Sequence, residues 1–254
     1  MIPDNKNAFL TPQQAAKMLN VSLATLKKFI HTGKLKTFTT PGGHHRIFKN
    51  DILFLAGHDP DQSSARNTDD IFFDLTESFM KLIETRQKFC KGHSGIVSRL
   101  AVAISRQLEL PEETCRNVRL GALLHDIGKF QVSKNILNKT GRLSEEEYSS
   151  IKLHCLTGRE MLKNLKPFSC VADIISQHHE RFDGSGYPLG LKGDRISIEA
   201  RIITLADSFD AMTSPTSYHK ALTTEGAFAE VANNAGSQFD PGIVDVFLNI
   251  YKNK

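Results

Sequence analysis

Between residues 71 and 83 apolar residues recur at three and four in Ile71, Phe72, Leu75, Phe79, Leu82 and Ile83, a spacing that predicts one face of a helix. The same spacing returns in Val97, Leu100, Ala101 and Ile104, and again from Pro111 to Leu124. Strand-like alternation is weak from residue 71 to 254. Helix starts are signalled by Pro111 before Glu112 and Glu113, Ser144 before Glu145 to Glu147, Thr224 before Glu225, and Asp240 before Pro241. The fold class expected is mainly α, with an all-helical bundle over residues 71–254.

A different pattern precedes the bundle. Thr11-Pro12 reads as a cap and first turn leading an apolar face of Ala15, Ala16, Met18 and Leu19. Asn20-Val21 interrupts it, Ser22 caps a second helix carrying Leu23, Leu26 and Ile30, and Gly33 closes that helix. Two helices joined by about three residues make a helix-turn-helix. Leu35 to Phe48, with Pro41-Gly42-Gly43 at its middle, reads as a two-stranded wing. The stretch 58–70 (HDPDQSSARNTDD) is almost free of apolar residues, and it is expected to link a domain over 1–57 to one over 71–254.

Charge sharpens this division. Residues 1–57 hold eight lysines and arginines against two aspartates, a net +6, and the remainder of the chain carries −2. Such asymmetry points to nucleic acid as a partner of the first module. At 40% hydrophobic and 24% charged, the 254 residues exclude a disordered, collagenous or disulfide-scaffold protein. Cys90, Cys115, Cys155 and Cys170 form no CxxC pair, so free thiols are expected. No apolar run of about 18 residues and no basic-then-apolar amino terminus occurs, which predicts a cytoplasmic protein.

The chemistry lies in a spaced series of imidazoles and carboxylates: His93, His125-Asp126, His154, His178-His179 and Asp207. Roughly 24 to 32 residues separate consecutive members, about two helices with their loops, so each can return to one end of a bundle. Gly121 to Gly128 is an apolar run expected to be buried, and a buried carboxylate beside a buried imidazole is costly without a partner such as a divalent metal. Imidazole and carboxylate without thiolate favour Mn, Fe, Co or Zn over Ca, and seven ligands are too many for one ion. Two metals are therefore expected, with Asp126 as the bridge. Paired ions about 3.5 to 4 Å apart suit phosphoester hydrolysis.

Two resemblances accompany these readings. LTPQQAAKMLNVSLATLKKFIHTGKL followed by TPGGHHRIFKNDI resembles the MerR or excisionase-like winged helix over residues 8–56. That likeness implies DNA contacts from Thr25, Lys27, Lys28, Thr40, His44 and Arg46, and binding as a dimer on two half-sites. His125-Asp-Ile-Gly-Lys129 resembles the HD phosphohydrolase signature, and His178-His-Glu-Arg-Phe-Asp-Gly-Ser-Gly-Tyr-Pro188 resembles its HD-GYP subgroup; Ala200 to Met212 and Gly236 to Pro241 extend the likeness over residues 71–252.

The second resemblance implies hydrolysis of cyclic di-GMP to pGpG or GMP at a centre of two divalent transition metals, iron or manganese. One ion would sit on His93, His125, Asp126 and Asp207, the other on Asp126, His154, His178 and His179. Lys129 would place a cation on the scissile phosphate beside the catalytic Asp126. Asp183, Gly186, Tyr187, Pro188 and Lys220 would meet the substrate. Two departures stand out. Phe89 occupies the place of the Glu that holds a third metal in some members, and Ser214-Pro-Thr-Ser-Tyr-His219 puts Thr216 and His219 where members commonly have basic residues. A related cyclic dinucleotide, or a cyclic-dinucleotide-responsive transcription regulator with weak or no turnover, is therefore the alternative. A homodimer through the helix that opens the bundle is a further expectation.

Overall fold

The computed structural model describes residues 9–19, 21–32, 35, 37–39, 45–49, 51–52, 68–87, 92–214 and 221–252. Several predicted features lie outside them: Gly33, Thr40, the 41–43 turn, His44, linker residues 58–67, Phe89, Cys90, Thr216, His219 and Lys220. The chain divides into two compact units, Met1–Ile71 and Phe72–Lys254.

In the first unit, strand β1 (Phe9–Leu10) leads into helix α1 (Pro12–Met18), then α2 (Leu23–His31), β2 (Phe38–Thr39) and β3 (His45–Phe48). Thr11 and Gln14 form a reciprocal capping box at α1, and the Ser22 hydroxyl accepts from the Thr25 amide at α2, as their sequences predict. Leu10, Ala15, Ala16, Leu26, Leu35, Ile47 and Ile52 form the core, with Leu19, Leu23 and Ile30 partly buried against it. The expected two-stranded wing is part of a three-stranded antiparallel sheet, in the order β1-β3-β2. Leu10 pairs with Ile47, and Phe38 with Arg46. A two-residue strand is too short to show any periodicity, so β1 left no signal in the sequence.

The second unit is helical. Its elements are α3 (Thr68–Glu84), α4 (His93–Gln107), α5 (Glu112–Leu124), a 3-10 turn (Ile127–Gln131), α6 (Lys134–Leu137), α7 (Glu145–Lys152), α8 (His154–Leu162), α9 (Ser169–Ser176), a 3-10 turn (Gly193–Arg195), α10 (Ile198–Thr213), α11 (Thr224–Asn233) and α12 (Pro241–Lys252). Helix α3 starts at Thr68, inside the stretch read as linker, and its acidic first turn of Asp69 and Asp70 suits a helix start. A capping box of Ser144 and Glu147 opens α7. The cap of α11 is Thr223, one residue before the predicted position.

Helices α4, α5 and α10 pack on one another, and α9 covers α5. Val97, Leu100, Ala101 and Ile104 of α4, Val118 and Leu123 of α5, and Ile202, Ile203, Leu205 and Phe209 of α10 are all buried. Each such side chain contributes on the order of 1.5–3 kcal/mol of burial. Phe209 also meets Phe228 and Phe247, with ring centroids 5.1 and 4.9 Å away, which ties α11 and α12 to the core.

Helix α3 divides its apolar residues between two faces. Phe73, Thr76, Met80 and Ile83 face inward, whereas Leu75, Phe79 and Leu82 of the predicted stripe are 66%, 53% and 68% exposed. The helix carries two apolar stripes, and the periodicity of one cannot say which faces the bundle.

Candidate metal centre

Three histidines reach the centre by one local device. His125 follows the last residue of α5, His178 stands two residues beyond α9, and His154 opens α8 directly after α7. Helix ends leave carbonyls without amide partners, and each ring uses Nδ1 on the carbonyl three residues back: His125 on Ala122 at 2.9 Å, His154 on Ile151 at 2.5 Å, and His178 on Ile175 at 2.6 Å. A carbonyl can only accept, so Nδ1 carries the proton and the Nε2 lone pair of each ring is left to face inward. This is how ligating histidines are held when their other nitrogen donates to backbone.

His93, the first residue of α4, does the same with a side chain, placing Nδ1 2.6 Å from Asp210 Oδ2. Its Nε2 lies 3.1 Å from Asp207 Oδ1, one turn earlier on α10. Asp207 Oδ1 is 3.8 Å from His125 Nε2. Asp126 stands between the histidines: Oδ2 is 3.5 Å from His125 Nε2, and Oδ1 is 3.5 Å from His154 Nε2 and 4.0 Å from His178 Nε2. His154 and His178 bring their Nε2 atoms within 3.3 Å. The His179 ring is tilted against that of His178 at 4.1 Å.

Two glycines make these approaches possible. A Cβ on Gly128 would strike the backbone of His154 and Gly158, so the turn after the dyad lies backbone to backbone on α8 and sets Asp126 beside His154. A Cβ on Gly186 would fall 2.6 Å from both the Glu180 Cα and the His179 carbonyl oxygen, so the loop folds back on the histidine pair. The buried Glu180 carboxylate then holds that loop by accepting from the Leu189 and Leu191 amides at 2.6 and 3.0 Å.

Protonation follows from burial and neighbours. Burial pushes His154 down to about 4 and His179 down to about 3. His178 is also held well below the ordinary value, by burial and then by the neighbouring histidines. Burial would raise Asp126, but Lys129, 2.7 Å away, and His125 outweigh it and hold the carboxyl well below its usual range. Asp207 is likewise lowered, against its burial, chiefly by its hydrogen bond with His93. His93 is the exception: burial opposes its charge, but the bonds to Asp207 and Asp210 raise it well above the ordinary value. A cation binding there displaces a proton.

His125 Nε2 and Asp126 Oδ1 are buried with no hydrogen-bond partner. Orphaned polar atoms among converging imidazoles and carboxylates are what a divalent cation would satisfy. Candidate ligand atoms within 4.8 Å of one another form three groups: His93, His125 and Asp207; His125, Asp126 and His178; and His154, Cys155, His178 and His179. All seven predicted ligands are thus brought together, and the residues fit a metal centre.

The remaining predicted site residues are placed as follows. Lys129 pairs with Asp126 at the edge of the cluster. Tyr187 stacks on His179, with centroids 4.9 Å apart, and its amide donates to the His179 carbonyl. Asp183 caps its own loop, accepting from the Ser185 amide and hydroxyl at 2.8 and 2.6 Å. Pro188 is half-buried beside Tyr187. In the first unit Lys27 and Lys28 are exposed on α2, the Thr25 hydroxyl lies 2.9 Å from Ser22 Oγ at the cap, and Arg46 is half-buried on β3 with Nη1 donating to the His45 carbonyl.

Sequence reasoning missed three residues. Asp210 follows Asp207 by three positions, the helical interval that puts both on one face. Glu84 is buried and caps α4 from outside it, accepting from the Gly92 and Ser94 amides at 2.6 and 2.8 Å on either side of His93. Cys155 is buried with Sγ 3.6 Å from His154 Nε2. Nothing local marks Glu84 or Cys155. Cys115, Cys155 and Cys170 are all free, as expected. No helix among the described residues is long and apolar enough to cross a membrane.

Comparison with known proteins agrees with this geometry. Residues 77–243 match the HD domain, and residues 9–53 match a helix-turn-helix domain. The chain is 37% identical over 174 residues to the 3'3'-cGAMP-specific phosphodiesterase 3 of Vibrio cholerae, covering 68% of this chain and 38% of that one. It is 39% identical over 167 residues to a cyclic di-GMP phosphodiesterase of Pseudomonas aeruginosa (65% and 40%). With a cyclic di-GMP phosphodiesterase response regulator of Xanthomonas campestris it shares 42% over 170 residues (66% and 45%). The chain therefore spans about two fifths of the length of the curated relatives it matches.

Two solved structures share its fold. One is a cyclic GMP-AMP-specific phosphodiesterase of V. cholerae, with a TM-score of 0.54, 22% identity and 70% and 49% of the two chains covered. The other is an HDG"Y"P protein of Bdellovibrio bacteriovorus, with a TM-score of 0.57, 17% identity and 82% and 83% covered. With the match spanning most of the helical unit and the cluster assembled as described, the chain belongs to the HD domain family and carries a helix-turn-helix domain ahead of it.

Proposed function

We propose that this chain is a metal-dependent phosphodiesterase that hydrolyses cyclic di-GMP or a related cyclic dinucleotide. The observation that carries the reading is the convergence of imidazole Nε2 atoms and carboxylates around the orphaned His125 Nε2 and Asp126 Oδ1. The names of its relatives, which act on cyclic di-GMP or 3'3'-cGAMP, support the substrate class.

His93, His125, Asp126 and Asp207 would hold one divalent ion, and Asp126, His154, His178 and His179 the other, with iron or manganese as the proposed metals. When bound, such a pair polarises a phosphoryl oxygen and lowers the pKa of the attacking water. The protein supplies the rest. Asp126 sits between the two ligand groups and keeps both in register. Lys129 brings an ammonium to the edge of the cluster, where it stabilises charge growing on the phosphate. Asp183, Gly186, Tyr187 and Pro188 shape the wall of the substrate cleft, and Lys220 is assigned to it from sequence alone.

Residues 9–53 bind DNA in this reading, with α2 and the wing supplying Thr25, Lys27, Lys28, Thr40, His44 and Arg46. Cyclic dinucleotide and DNA are both met in the cytoplasm, the compartment that this reading requires. A second reading is favoured by the helix-turn-helix match: a transcription regulator that responds to cyclic dinucleotides with slow or no turnover. Linkage then requires ligand to change DNA affinity and DNA to change ligand affinity by the same factor.

The deciding experiment incubates protein reconstituted with manganese or iron with cyclic di-GMP, cyclic di-AMP and 3'3'-cGAMP, and follows linear products. Wild type should release pGpG or its counterpart, and Asp126→Ala should release none. Equal inertness of both across all three nucleotides removes the enzyme reading.

A further inference from the structure

We infer that Lys152 and Tyr148 form a second recognition wall, which takes the phosphate and purine of the cyclic dinucleotide that are not being cleaved. The inference rests on the phosphodiesterase reading for the class of substrate. Its own basis is a ladder of side chains running outward from the cluster. His179, one of the proposed ligands, is stacked by Tyr187 at 4.9 Å and an interplanar angle of 30°. The Lys152 ammonium lies 5.5 Å from the centre of the Tyr187 ring and 4.5 Å from that of Tyr148. Tyr148 is 47% exposed and ends the ladder at the surface.

The ladder is rigidly tied to the centre. Lys152 is the last residue of α7, and the neighbouring Ile151 carbonyl accepts a hydrogen bond from His154 Nδ1. Tyr148 lies one helical turn before Lys152, which puts ring and ammonium on one face. Among the described residues no carboxylate pairs with Lys152. Its charge meets two aromatic faces and is open to an anion.

The ligand chemistry accounts for the rest. A cyclic dinucleotide has two phosphodiesters, each fully charged at neutral pH, and the cluster can act on one at a time. The other enters the cleft as an uncompensated anion. An ammonium beside an aromatic face meets that need, because the charge pairs with phosphate while the open face of Tyr148 stacks a purine. A substrate with one phosphodiester and no base gains nothing from this wall.

The test titrates full-length, metal-loaded protein with the bisphosphorothioate of cyclic di-GMP, a probe that resists hydrolysis, and measures metal content in parallel. Lys152→Met and Tyr148→Ala should each weaken binding by about tenfold or more, the scale set by loss of one stacked base or one charge-assisted contact. Lys152→Arg and Tyr148→Phe should bind within about threefold of wild type, since a tenfold change marks loss of the contact itself. Unchanged binding in Lys152→Met and Tyr148→Ala with metal retained overturns the inference. So does loss of metal in either of them, because the contact would then be structural. Wild type that binds the probe but hydrolyses no cyclic dinucleotide refutes the enzyme reading and leaves the wall standing. Wild type that does not bind the probe overturns the wall, and hydrolysis of bis(p-nitrophenyl) phosphate by the same sample would preserve the phosphodiesterase reading.

Discussion

His93 Nδ1 and Asp210 Oδ2 lie 2.6 Å apart although 117 positions separate them in the chain. The contact joins the first residue of α4 to α10 and fixes which nitrogen of His93 faces Asp207. Without it the ring can rotate and offer either nitrogen to the centre. Asp210→Asn should therefore lower metal affinity on the His93 side by about ten- to a hundredfold, the usual effect of losing such a partner. Calorimetric titration of apoprotein with manganese would show one of two sites weakened. Two unchanged sites would contradict the role.

Glu84 holds the same end of that helix. Its carboxylate satisfies two amides around His93, and Glu84→Ala leaves both without that acceptor. A loss of about 1–3 kcal/mol per unsatisfied buried group is expected, readable as a lower midpoint in urea. A variant as stable as wild type would show that water replaces the carboxylate.

Gly128→Ala places a methyl against the backbone of His154 and Gly158. Neither chain can yield cheaply, because both belong to the segment that carries ligands. We expect destabilisation at or above the ~1–3 kcal/mol typical of overpacking, together with reduced metal content. Retention of full metal content and stability would mean that the turn shifts without cost.

Chelation tests whether the metals contribute to folding. With free metal about a thousandfold above its Kd, linkage adds roughly 4 kcal/mol, and a unit of this size gains about 2–4 °C per kcal/mol. Removing metal should then lower the melting temperature by on the order of 10 °C. An identical melting curve with and without chelator would argue that no metal binds the native state.

The outward stripe of α3 tests the homodimer expected from the sequence. Leu75, Phe79 and Leu82 are exposed apolar side chains of this helix, the kind of surface that an interface covers. Leu75→Glu combined with Leu82→Glu should convert a dimer to a monomer in light scattering at micromolar concentration. A wild type that is already monomeric there removes α3 as the seam.

Local chemistry made much of this legible in the sequence. Thr11, Ser22 and Ser144 announce their helices because a cap needs only the residues beside it, and the periodicity of α4 and α5 reports the buried face directly. The seven ligand candidates were visible because buried imidazoles and carboxylates are expensive at any position and recur at bundle spacing. Which partner orients each ring, which stripe of α3 turns inward, that Glu84 caps the helix of His93, and that Lys152 comes to the Tyr187 ring were decided only by tertiary structure. Those contacts depend on packing between segments dozens of residues apart, and no local propensity carries that information.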